Sequence, residues 1–170
     1  SRRLNQRVIP PPVLQRYLVE LEGGLRGTLA SGEADLLRLL HYHMGWVDPE
    51  GVPTRRESGK AMRPTLCLFA CEAVGGAISQ AMPAALALEL IHNFSLIHDD
   101  IQDGDVERRH RSTVWHLWGI PKAMTSGNAM RVLADRTLAK LSKTNLPDAC
   151  IVDASLVLTE RYLEMIEGQY

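Results

Sequence analysis

A chain of 170 residues that is 45% hydrophobic and 23% charged has the balance of one globular domain, which excludes wholesale disorder. With 13 Gly and 9 Pro it is neither fibrous nor low in complexity. A formal charge of -1, from 19 basic and 20 acidic side chains, leaves no net field to draw nucleic acid or an anionic lipid surface.

The pattern predicts helix throughout. From Val13 to Leu29 the apolar stripe of Leu14, Leu18, Leu21 and Leu25 marks an amphipathic helix, and Leu36, Leu37, Leu40 and Met44 repeat it between Glu33 and Met44. Gly45 to Ser58 is a polar connector with turn signals at Asp48-Pro49 and Val52-Pro53. A third helix starts near Arg63-Pro64 and stops by Gly75-Gly76. Ser79 caps a long fourth helix, in which Pro83 falls early; it runs through Ala84, Leu88, Ile91 and Leu96 towards Gly104. A charged loop and a short piece from Val114 to Trp118 follow. Two more helices span Lys122 to Lys143 and Asp148 to Tyr170, introduced by Pro121 and Pro147. No alternating strand pattern exceeds four residues. The apolar period of Leu156, Leu163 and Ile166 is still running near Tyr170, which reads as a cut inside an element.

No segment reaches the ~20 apolar residues of a membrane span. Glu72 interrupts the run from Leu66 to Val74, and Glu89 the run from Ala81 to Ile91. Arg2, Arg3 and Arg7 precede Pro10, Pro11 and Pro12 rather than an apolar core, unlike a secretory leader. Cys67, Cys71 and Cys150 lie in apolar runs, with no His pair at finger-like spacing. They are expected to pack in the core of a protein kept in a reducing cytosol.

The informative stretch is HNFSLIHDDIQDGDVERRHR, from His92 to Arg111. Asp99 and Asp103 share one face of a helix, Asp100 sits one step round, and Ser95 and His92 precede them on that face. Such carboxylates repel each other and crowd the negative end of the helix dipole, at about 0.3–1 kcal/mol each. A divalent cation reverses both penalties, and Mg²⁺ commonly bridges one or two carboxylates to substrate phosphates. A solvated acidic helix end neutralised by Arg108, Arg109 and Arg111 is the alternative. Upstream, SGKAMRP places Lys60 and Arg63 at a helix start, where free N–H groups and the dipole favour a diphosphate; a solvated basic loop would read the same way.

GKAMRP, then ELIHNFSLIHDDIQDGDVERR, then EGQ resembles the trans-type isoprenyl diphosphate synthases, the polyprenyl synthetase family. The resemblance implies an all-α fold: an antiparallel helical bundle of the isoprenoid synthase type, with residues 1–170 forming one domain that stops before its C-terminal helices. It implies that Asp99, Asp100 and Asp103 serve Mg²⁺, with Asp100 in support, and that Arg108 contacts an allylic diphosphate. Lys60, Arg63, His92 and Arg109 would hold isopentenyl diphosphate, and Gln169 would face the allylic site. Phe94 lies five residues before Asp99, about 7.5 Å down a helix. With small Ser95 it resembles the floor of a medium-chain elongation pocket, and so a geranylgeranyl-length product. A cytoplasmic homodimer is the expected assembly.

Departures from the family pattern are Ala61 for a common Arg, His110 and Ser112 for Gly and Pro, and Asn128 for Asp. No second DDxxD follows. The chain alone is therefore expected to turn over poorly. Two other readings stay open: a non-catalytic partner subunit of a heteromeric synthase, and a class I terpene cyclase fragment. The intact DDIQD and Arg pair weigh against the first, GKAMRP and His92 against the second.

Overall fold

The computed structural model describes residues 11–54 and 61–169. In chain order its helices are α1 Pro12–Gln15, α2 Leu18–Thr28, α3 Ala34–His43, α4 Met62–Ala73, α5 Ile78–Asp103, α6 Val114–Trp118, α7 Ile120–Leu138 and α8 Asp148–Glu167. A 3-10 turn, Ala139–Lys143, extends α7. A two-residue hairpin, β1 Glu107–Arg108 and β2 Arg111–Ser112, follows α5. The expected all-helical class holds. The hairpin is too short for any alternation to reveal.

The single helix expected over 13–29 breaks at Arg16 and Tyr17. Tyr17 turns its ring into the core, 2% exposed, and its hydroxyl donates to the Glu72 carboxylate of α4. Arg16 donates to the same carboxylate at 2.6 Å and to the Tyr17 hydroxyl at 2.7 Å. A tertiary tether thus overrides a continuous local pattern. Elsewhere the boundaries move by three residues at most, the largest shift being the end of the last helix at Glu167 rather than Tyr170. α4 begins at Met62, after Ala61 in a left-handed conformation at φ 44°. α5 begins one residue before Ser79, with the Ala77 N–H donating to Gln80 Oε1 at 3.3 Å, and ends at Gly104 as expected. Lys60, with Ser58 and Gly59, lies outside the described residues.

α5 is the central element. It packs most extensively on α7 and is flanked by α4. Leu90 and Ile97, 0% and 1% exposed, anchor it; full burial of such a side chain is worth about 1.5–3 kcal/mol. The α5–α7 approach depends on Gly127, where an added Cβ would lie 2.4 Å from His98 Nε2. His98 cannot swing freely, since its ring packs at a tilt against Phe94, 4.5 Å between centroids. Gly127→Ala is therefore expected to cost about 1–3 kcal/mol through overpacking, measured as a lowered urea midpoint. An unchanged midpoint would show that the ring moves aside without strain.

α8 lies beside α5 and runs in the same direction, because Tyr162 meets Phe94 (5.7 Å between ring centroids) and Gln169 meets Asp99. Its half-buried Ile151, Ala154, Leu158 and Tyr162 touch the core, yet the helix has no fully buried side chain. Leu156 and Leu163, which carried its apolar period, are each 54% exposed. The thiols also differ from expectation. Cys67 and Cys71 are half-buried and Cys150 is exposed, because their helix faces point towards the periphery; all three are free. Among the described residues no helix is long and apolar enough to cross a membrane.

Candidate active site

The C-terminal end of α5 presents DDIQD in three environments. Asp100 is buried, and its Oδ1 accepts a hydrogen bond from Arg108 Nε at 2.7 Å. Burial raises the Asp100 carboxyl above its ordinary range, against the opposing pull of Arg108. Asp99 is half-exposed and accepts a hydrogen bond from the Gln169 amide, while Asp103 is exposed. Among the described residues no three His, Cys, Asp or Glu side chains close into a metal cage. What remains, Asp99 and Asp103 four residues apart at a helix end, is an oxygen-only, two-carboxylate bed. That donor set fits Mg²⁺, which keeps waters and shares its coordination with phosphate.

The loop after α5 is fixed by a chain of hydrogen bonds. Gly104, at φ 69°, ends the helix in the left-handed region where glycine is favoured. The Asp105 carbonyl accepts from Thr113 Oγ1 and Trp115 Nε1, each at 2.8 Å. The hairpin tip, Arg109 and His110, has positive φ at both positions (53° and 61°). Two-residue hairpins of this geometry favour Asn and Gly, so Arg109 and His110 are held there against their preference. Arg111 supplies the restraint. Its guanidinium donates to the Tyr42 and Val47 carbonyls at 3.0 and 2.7 Å and lies 3.9 Å from the Tyr42 ring centroid. One arginine of the turn is thereby structural, Arg108 is held by Asp100, and Arg109 stands exposed at the tip.

A second, basic group involves His92, two turns before Asp99 on α5. Arg63, exposed on the first turn of α4, and Arg109 from the hairpin both act on His92. Burial, then Arg63 and Arg109, hold that imidazole down at about 4, so it is neutral near pH 7. His43 is held down at about 3 by burial and Arg109. His43, Asp100, Arg108, Arg109 and Arg111 contribute to the lining of one cavity of about 90 Å³. Phe94 and Ser95 are buried below Asp99. The Ser95 hydroxyl donates to the His92 carbonyl at 2.8 Å, and the Phe94 ring touches His98 and Tyr162.

The sequence model of the polyprenyl synthetases matches residues 54–170. The chain belongs to the polyprenyl synthetase family. The chain is 39% identical over 170 residues to a (2E,6E)-farnesyl diphosphate synthase of Mycobacterium bovis, covering 99% of the chain and 45% of that relative. It is 36% identical over 159 residues to a geranylgeranyl diphosphate synthase of Mycobacterium tuberculosis, covering 93% of the chain and 44% of the relative. A crystal structure of a polyprenyl synthetase from Streptomyces coelicolor superposes with a TM-score of 0.84 at 37% identity, over 92% of this chain and 45% of that one. The chain therefore spans less than half the length of the curated relatives it matches.

Of the residues singled out from sequence, Asp99, Asp103 and Gln169 come together at one end of α5 and α8, and Asp100 meets Arg108. Arg63 and Arg109 both act electrostatically on His92. Sequence reading passed over Glu89, Asn93 and His43, which form a buried polar chain behind the basic group, and Tyr162, which backs Phe94. The only sign of Glu89 in the sequence was its interruption of an apolar run.

Proposed function

We propose that this chain carries the substrate-binding half of a trans-prenyltransferase, which joins an allylic diphosphate to isopentenyl diphosphate. The observation that carries the reading is that α5 offers two different anion provisions: the carboxylates Asp99 and Asp103 at its C-terminal end, and His92, two turns before Asp99, under the influence of Arg63 and Arg109. Asp99 and Asp103 can share a cation with one diphosphate, while Arg63, His92 and Arg109 can hold a second without metal. A cyclase, with one diphosphate to bind, has no use for the second group.

Arg63 and Arg109 neutralise isopentenyl diphosphate, with Lys60 joining them by sequence motif, and neutral His92 offers a hydrogen bond. Arg108, aimed by Asp100, contacts the allylic diphosphate; Asp100 thereby acts through Arg108. Bound Mg²⁺, held by Asp99 and Asp103 with Asp100 in support, would supply neutralisation of the leaving diphosphate. The allylic C–O bond breaks with its electron pair going to diphosphate. The isopentenyl double bond forms the new C–C bond, and the departing diphosphate accepts the proton lost beside it. Phe94 and Ser95, backed by Tyr162, floor the hydrocarbon pocket at a geranylgeranyl-length product. The protein is proposed to work as a cytoplasmic homodimer, with residues 1–170 part of one helical domain.

Calorimetry tests this reading on the chain itself. Isopentenyl diphosphate is expected to bind with or without Mg²⁺. An unreactive allylic diphosphate analogue is expected to bind only with Mg²⁺, at a site the first does not block. A chain that binds neither, or only one at a single shared site, would overturn the two-diphosphate reading.

A further inference from the structure

Glu89 is a carboxylate among apolar neighbours: it is 7% exposed, and Ala85, Leu86, Ala87, Leu90 and Ile91 around it on α5 are all buried. A carboxylate so placed is costly unless its surroundings support it. Asn93, one turn on and 3% exposed, donates from Nδ2 to the Glu89 carbonyl at 2.8 Å and to Oε1 at 3.1 Å. With its nitrogen committed to Glu89, Asn93 presents its oxygen to His43 Nε2, at 3.1 Å, so that His43 donates. A buried carboxylate–amide–imidazole chain thus ties α5 to the last residue of α3.

No cation pairs directly with Glu89 among the described residues. The chain leads to the hairpin through His43, which lines one cavity with Arg109; Arg109 and, from α4, Arg63 act on the Glu89 carboxylate as they do on His92. On its own helix it faces Asn93 and shares these arginines with His92; from α3 comes His43, neutral. Burial already lifts the Glu89 carboxyl, and the two arginines pull it back down.

We propose that Glu89 is the built-in counter-charge of the isopentenyl diphosphate pocket: its carboxylate balances Arg63 and Arg109, and takes a proton from solvent when a diphosphate binds to them. The inference rests on the reading of Arg63, His92 and Arg109 as a diphosphate group. An arriving anion occupies both arginines and repels the carboxylate, while protonation ends the repulsion and leaves Oε1 free to accept from Asn93. Anion binding and proton uptake are then linked, and affinity rises as pH falls. A carboxylate that merely braces α3 against α5 has no such linkage.

The test is calorimetric titration of the chain with inorganic pyrophosphate and with isopentenyl diphosphate, in buffers of different ionisation heat, between about pH 5 and 7. Glu89→Gln keeps the acceptor for Asn93 and removes the titration. The parent is expected to take up more protons per site than the variant, by up to about one. The variant is expected to bind pyrophosphate more tightly near pH 7, by about tenfold for each unit that binding lifts the carboxyl, with the advantage shrinking as pH falls. Should the variant fold poorly, the infrared carboxyl band of the parent decides without it: a protonated-acid band must grow on pyrophosphate binding. Equal proton counts, or no growth of that band, overturn the coupling alone. Absence of any binding of either diphosphate overturns the pocket, and the coupling with it.

Discussion

Asp99→Ala is expected to lower Mg²⁺-dependent turnover of allylic and isopentenyl diphosphates by at least about a hundredfold, while leaving helical content near the parent value. The direction of the second effect separates a metal bed from a structural acid. Asp99 and Asp103 repel at one-turn spacing and sit at the negative end of α5, so removing one relieves the helix, by up to about 1 kcal/mol. An acid retained for stability would behave oppositely. Asp99 also accepts from Gln169, so Gln169→Ala belongs beside it and should keep most of its metal dependence. Turnover is measured in the full-length protein across a magnesium series, with circular dichroism and a urea midpoint on each variant. Unchanged magnesium dependence in Asp99→Ala would reduce the acidic end of α5 to a solvated face.

How much of this was legible in the sequence follows from the range of the interactions involved. The spacing of Asp99 and Asp103, the stop at Gly104 and the placement of Arg63 on a helix start are local, and residue spacing with proline and glycine signals found them. Asp100 shows where locality runs out. One step round the helix from Asp99, it reads as a third carboxylate of the same group, yet its oxygen is engaged by Arg108 across a turn that only the hairpin closes. The hairpin itself has two residues per strand and positive φ at Arg109 and His110, neither of them a turn-forming type. The break at Tyr17 depends on Glu72, 55 residues away. The Glu89–Asn93–His43 chain spans 50 residues between Asn93 and His43. No windowed pattern sees such pairings, and a buried carboxylate in an apolar run registers only as a defect of hydropathy.

That buried polar chain also sets the response to acid: the folded state is expected to lose stability steeply as pH falls from about 6.5 towards 4. His43 is held down at about 3 and His92 at about 4, so the folded protein excludes protons that the unfolded chain accepts near 6.5. Their contribution is complete above 6.5 and is lost as pH falls towards the folded values. At pH 4, 2.5 units below the ordinary histidine value, His43 accounts for about 3 kcal/mol at 1.36 kcal/mol per unit; the half-exposed His92 adds less. Glu89 and Asp100 act with the opposite sign. Their carboxyls are raised by burial, so each takes its proton more readily folded than unfolded, favouring the fold as acid is added. They begin from carboxylate values near 4, well below 6.5, so the histidines dominate the first part of the descent. His43→Gln keeps an N–H for Asn93 and cannot titrate. Urea unfolding at a series of pH values is expected to give a shallower loss between 6.5 and 4 in that variant than in the parent, from a lower starting stability at neutral pH. Parallel curves for the two proteins would show that His43 takes up its proton without leaving the folded state.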